Sequence, residues 1–128
     1  MRARYAFRVE LALDPRDADV ALEPSTVERR CLLEAADPGS EGWRFFRDTL
    51  WRGEVGDDAH VRSLLSEKLG PGLVVERVEF RGLHTDEEYL EALKAEIEAD
   101  LPAFKADTVS EVLSKYLASR LEVDLDER

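Results

Sequence analysis

Tyr5-Ala6-Phe7-Arg8-Val9-Glu10-Leu11-Ala12-Leu13 is the stretch whose reading decides the fold. Tyr5, Phe7, Val9, Leu11 and Leu13 fall on one side of an extended chain, while Arg4, Arg8, Glu10 and Asp14 fall on the other. That period of two marks a strand with one face on a core and one toward water. Such a strand needs a neighbour for its backbone and a cover for its apolar side. Asp14-Pro15-Arg16-Asp17 ends it. After Pro24-Ser25, the residues Val27, Arg29, Cys31, Leu33 and Ala35 alternate with Glu28, Arg30, Leu32 and Glu34, which predicts a second strand antiparallel to the first. The connection is too long for a tight hairpin, and Val20 and Leu22 are expected to add a short edge segment.

Downstream, Asp37-Pro38-Gly39-Ser40 is a loop signal. The segment from Gly42 to Gly53 admits two readings: Trp43, Phe46 and Leu50 have helical spacing, yet its aromatics also suit a strand. Helix is the preferred one, starting near Ser40 and stopped by Gly53. Asp57 is placed to cap a helix with the apolar face Val61, Leu64, Leu65 and Leu69, ending at Gly70-Pro71-Gly72. Leu73 to Arg81 reads as a third strand with Val74, Val78 and Phe80 on one face. Thr85-Asp86-Glu87-Glu88 has the form of a capping box, with Thr85 as the cap of a helix burying Leu90, Leu93, Ile97, Leu101 and Phe104. Pro102 breaks that helix near Asp100 to Leu101. Thr108-Val109-Ser110-Glu111 repeats the signature, with Val109, Val112, Leu113, Tyr116 and Leu117 inward, and Leu121 to Leu125 alternates as a short strand would. The fold expected is α+β: a small, mainly antiparallel sheet of three or four strands covered by three or four helices, in one domain spanning residues 1–128.

Charged residues make up 37% of the chain, against roughly 25% in an average soluble domain. The excess belongs on the surface. With 29 acidic and 18 basic residues the net charge is -11, a self-repulsion that salt relieves by screening. The basic residues are 14 Arg and 4 Lys. A salt-adapted surface favours the bidentate guanidinium over the lysine stem, and a GC-rich genome also favours Arg codons; taken with the acidity, the ratio points to a halophile. The acid is concentrated late: residues 86–128 carry a net charge of -8 and residues 1–85 carry -3. Cys31 is the single cysteine, so no internal disulfide forms, the default compartment is the cytoplasm, and the thiol is expected to be a small core residue. No apolar run approaches the roughly 20 residues of a membrane helix.

Chemistry is densest from Trp43 to Asp58, where two Trp and two Phe accompany Arg44, Arg47 and Arg52 and the acids Asp48, Glu54, Asp57 and Asp58. Guanidinium forks beside aromatic faces can hold a carboxylate or phosphate, or stack on a base. The simpler alternative makes the aromatics core and pairs Arg47 or Arg52 with Asp48 or Glu54. Glu54, Asp57, Asp58 and His60 match no metal template, and Asp57 and Asp58 are accounted for as a helix cap and a first-turn acid. His84 is expected in an exposed loop. No nucleophile-and-base or phosphate-loop pattern occurs, so no catalytic residue and no cofactor are assigned.

Leu50-Trp51-Arg52, within Phe45 to Glu54, resembles the motif of the LWR-salt proteins, short haloarchaeal proteins named for it. The resemblance extends to Leu83-His84-Thr85-Asp86-Glu87-Glu88-Tyr89-Leu90 and to Glu111-Val112-Leu113-Ser114-Lys115-Tyr116-Leu117. It implies a haloarchaeal cytoplasm and implies no activity, cofactor or partner. The function expected is a non-catalytic protein-interaction or small-ligand-binding module adapted to molar salt. Trp43, Arg44, Arg47, Trp51 and Arg52 are its contact residues, and Asp48, Leu50 and Glu54 are structural. Alternatives are a nucleic-acid-associated protein using segment 43–52, which the net charge disfavours, and a small enzyme of unrecognised type. The burial of Trp51 and Arg52 discriminates: buried and saturated, the motif is structural; open, it is available to a partner.

Overall fold

The computed structural model describes residues 1–13 and 19–124. Strand β1 (Ala3–Leu13) pairs antiparallel on one side with β2 (Thr26–Glu34) and on the other with β5 (Leu73–Thr85). β6 (Leu121–Val123) pairs parallel to β5, so the sheet runs β2-β1-β5-β6. The sequence reading expected a mainly antiparallel sheet of three or four strands, which this is, with one parallel pair at its edge. A second, two-stranded sheet joins β3 (Leu50–Trp51) to β4 (Glu54–Val55). The helices are α1 (Phe45–Thr49), α2 (Asp58–Leu69), α3 (Glu87–Glu98) and α4 (Val109–Leu117), with a 3-10 turn at Leu101–Phe104.

One face of the sheet is the core face. Tyr5, Phe7, Val9 and Leu11 of β1, with Val75, Phe80 and Leu83 of β5, join Val61 and Leu65, Leu93 and Ile97, and Val112 and Leu117 in a single cluster. All the long helices therefore lie on that side. The opposite face carries Arg4, Arg8 and Glu10 beside Arg30, Glu28, Glu79 and Arg77, as the β1 alternation requires. Cys31 is half-buried in β2, where burial raises its thiol pKa.

Several expectations need correction. Val74 does not share the face of Phe80; it is 45% exposed and Val75 is buried instead. The β1–β5 register shifts opposite Ala6/Phe7 and Glu10/Leu11, leaving Arg81 and Glu76 as extra residues in β5. An extra residue reverses the alternation of every side chain beyond it. β5 also runs on to Thr85, so Thr85 is a strand residue, fully buried, and its hydroxyl has no partner among the described residues. The cap of α3 is Asp86, which accepts 2.7 Å from the Tyr89 N–H. The carboxylate of Glu88, expected to reach back to the cap, lies 3.6 Å from the N-terminal ammonium. Leu69 is exposed, and Val20 and Leu22 form no edge strand. The loop at 14–17 and Leu125 lie outside the described residues.

Other readings match residue for residue. Asp57 caps α2 through the His60 N–H, Gly70 ends that helix at φ 96°, and Thr108 caps α4 through the Glu111 N–H. The helix before Pro102 stops at Glu98, and the proline sits in the 3-10 turn, where its missing N–H costs nothing.

Candidate functional site

The ambiguous segment 42–53 is helix and strand in succession. α1 is five residues long, and aromatics in it and just before it pack into the core. Phe46 stacks on Phe104 at 5.7 Å and 8°, and meets the edge of Tyr116 at 5.9 Å. Trp43 contacts Phe46 at 6.4 Å and Phe104 at 5.9 Å, and is 7% exposed. Leu50 then turns extended at φ -113° and buries its side chain. Ser40 does not cap α1; its hydroxyl donates to the Asp37 carbonyl.

Gly53 does not stop a helix but makes a hairpin turn. Arg52 at φ 52° and Gly53 at φ 80° both occupy the left-handed region, as a two-residue turn between antiparallel strands demands. The tip is fixed to the end of α4: the Arg52 and Gly53 N–H groups donate to the Lys115 and Tyr116 carbonyls, each at 2.9 Å. These are carbonyls at a helix C-terminus, otherwise short of donors. A Cβ on Gly53 would come within 3.2 Å of the Ala118 methyl and the Leu117 carbonyl, so any side chain there would press on α4 from a strained φ of 80°.

This geometry projects Trp51. Its ring meets the edge of Tyr116 at 5.9 Å, with the Lys115 ammonium 5.7 Å and the Arg52 guanidinium 5.6 Å from its centroid, and it remains 46% exposed. Arg52 is exposed, and no carboxylate among the described residues pairs with it. The Leu-Trp-Arg triplet thus divides its labour, with Leu50 anchoring in the core while Trp51 and Arg52 face solvent.

The other expected contact residues lie elsewhere. Trp43, Arg44 and Arg47 line a cleft of about 540 Å³ with Ser40, Asp48 and His60, and neither Trp51 nor Arg52 takes part in it. Arg44 pairs with Asp100, just beyond α3, and stacks 5.2 Å from the Trp43 ring, while its buried Nε has no acceptor among the described residues. Arg47 is held by Asp48 at 2.9 Å. Glu54 is an exposed residue of the hairpin. Sequence reasoning missed Lys115, Tyr116 and Asp100 as supports; the α4 periodicity had marked Tyr116 only as core.

His84, expected in an exposed loop, is a β5 residue with its side chain 13% exposed. Its Nδ1 lies 2.9 Å from the Asp124 carboxylate and 3.4 Å from that of Glu122, an arrangement that ties β6 to the sheet. Of the acids weighed for metal, Asp57 caps α2 through the His60 N–H and Asp58 pairs with Arg62.

No helix among the described residues is long and apolar enough to cross a membrane. One family model, described as LWR-salt protein, matches residues 1–127. No curated protein and no solved structure matches the chain.

Proposed function

We infer that this chain, which belongs to the LWR-salt protein family, is a non-catalytic binding module that presents Trp51 and Arg52 to a protein partner in a salt-rich cytoplasm. One observation carries the reading: a large aromatic and a guanidinium without a carboxylate partner among the described residues stand exposed at a turn whose backbone is pinned to α4. Trp and Arg concentrate binding energy when a partner desolvates them together. A pinned turn loses little freedom on binding, so less of the contact energy is spent on ordering.

The test compares tagged wild-type protein with Trp51→Ala and Arg52→Ala in pull-downs at molar KCl, quantified by mass spectrometry after circular dichroism confirms folding. Proteins enriched by the wild type and depleted with both variants support the module. Identical profiles for all three remove the hairpin tip from consideration.

A second reading, a small carboxylate or phosphate ligand between Trp43, Arg44 and Arg47, is favoured by the 540 Å³ cleft, within the usual size of ligand sites. Thermal shifts with such anions that vanish in Arg47→Gln would support it. A continuous nucleic-acid strip over 43–52 is less well supported, because Arg44 and Arg47 lie apart from the Trp51–Arg52 tip and each already pairs with a carboxylate.

A further inference from the structure

Strand β2 is an edge of the main sheet: β1 takes one side of it, and no described strand takes the other. The Leu13 N–H donates to the Ser25 carbonyl and the Ala35 N–H to the Ala3 carbonyl, so odd-numbered residues of this stretch turn their backbone groups toward β1. The N–H and C=O groups of Arg30, Leu32 and Glu34 therefore turn outward, and no partner meets them among the described residues. Such an edge is a template for another strand.

The side chains of the same three residues are unmatched as well. Leu32 lies opposite Ala6 on the face away from the core and is 42% exposed. Arg30 and Glu34 are exposed on that face, and neither holds an ion pair among the described residues. Across the sheet Arg30 stands beside Arg8, whose guanidinium is engaged with Glu28, so it gains no carboxylate from its own chain.

We propose that β2 pairs antiparallel with β2 of a second copy of this chain, about a twofold axis at Leu32, so that the two sheets become one. An axis normal to the sheet keeps both core faces on the same side, and opposed residues then share a face. With the axis at Leu32, that side chain packs on its own copy, and Arg30 stands opposite the partner's Glu34, twice by symmetry. The outward groups of Arg30, Leu32 and Glu34 close three hydrogen-bonded pairs, about six N–H···O bonds in all. Charges on an edge ordinarily deter pairing, and in this strand they select one register. An axis at Arg29 or Arg30 sets that arginine against itself, and an axis at Cys31 sets Glu28 against Glu34. An axis at Leu33 sets Leu32 against Glu34. Only the axis at Leu32 matches apolar with apolar and cation with anion, and it leaves Glu28 with Arg8. β2 has no part in the Trp51–Arg52 tip, so the two contacts are tested apart.

The experiment measures association by sedimentation velocity over a protein concentration series, in low and in molar KCl, for wild type, Arg30→Glu and Trp51→Ala. Wild type and Trp51→Ala are expected to dimerise alike. Arg30→Glu, which faces the partner's Glu34 with a like charge, should dimerise at least about tenfold more weakly, with circular dichroism confirming its fold. Cross-linking fixes the register independently of that variant. In a Cys31→Ala background treated with diamide, Leu32→Cys should give a disulfide-linked dimer, because a hydrogen-bonded antiparallel pair holds its Cα atoms about 5.5 Å apart. Thr26→Cys lies on the same edge but about 40 Å from its copy in this register, and should stay unlinked. A monomeric wild type, an Arg30→Glu protein that dimerises as tightly as wild type, or Thr26→Cys linking as readily as Leu32→Cys would each overturn the proposal.

Discussion

Arg52 sits at φ 52° although it carries a side chain, and the Lys115 carbonyl holds it there. A left-handed non-glycine residue costs about 1–2 kcal/mol. Replacement by glycine removes that strain but adds about 0.5–1 kcal/mol of unfolded-chain entropy. Arg52→Gly is therefore expected to match or exceed the wild-type stability in urea while losing partner capture; a drop of more than about 1 kcal/mol would mean that the side chain itself holds the turn. Asp86 makes a second residue-scale case. Burial pushes its carboxyl pKa up, but the Tyr89 and Arg2 N–H donors and the N-terminal ammonium outweigh burial and hold it below the usual carboxylate range. With the folded pKa below the unfolded one, the stabilisation is complete above the unfolded pKa and is lost as pH falls through the folded value. Asp86→Asn keeps an N-cap acceptor and loses the charge, so its acid-unfolding curve should be flatter than that of the wild type. Asp86→Ala should lose about 1 kcal/mol at neutral pH as well.

Hairpin β3–β4 and helix α4 behave as one element, because the turn supplies donors to the helix end and Gly53 lies flush against it. Gly53→Ala must either shift the hairpin or push on Ala118 and the Leu117 carbonyl from φ 80°, and should cost about 2 kcal/mol or more. The signature to look for is a loss of Trp51 fluorescence anisotropy that precedes global unfolding; a variant as stable as the wild type, with Trp51 unchanged, would refute the docking. Nothing local announced this contact. Arg52-Gly53 read as a helix stop because the glycine after Trp43, Phe46 and Leu50 fits that pattern as well as a turn, and the choice was made by Tyr116 and Phe104, some fifty or more residues away. β1, α2 and α4 were legible because alternation, an Asp57 or Thr108 cap and a glycine or proline at the end are local signals. The two shifts in β5 were not, since an extra residue in a strand is specified by its partner's register. The candidate site was legible in residue type, and its division between cleft and tip was not.

Across the whole molecule, charge follows the layers. Residues 86–128, which include α3 and α4, carry -8 of the net -11, while the opposite sheet face sets arginines beside Glu10, Glu28, Glu34 and Glu79. Repulsion in the acidic layer opposes folding in dilute buffer and is screened over about 3 Å at 1 M salt. The melting temperature should accordingly rise from dilute buffer to molar KCl. A rise alone is not specific, because concentrated salt can also strengthen apolar burial. The location of the charge separates the two causes. Glu91 and Glu98 are exposed on α3, whereas Glu10 and Glu34 lie on the arginine-bearing face of the sheet. Glu91→Gln/Glu98→Gln relieves repulsion and should raise the melting temperature in dilute buffer while making its dependence on KCl shallower. Glu10→Gln/Glu34→Gln removes acids from among cations and should do neither. Equal salt slopes for wild type and both pairs would assign the salt response to burial instead of to the acidic layer.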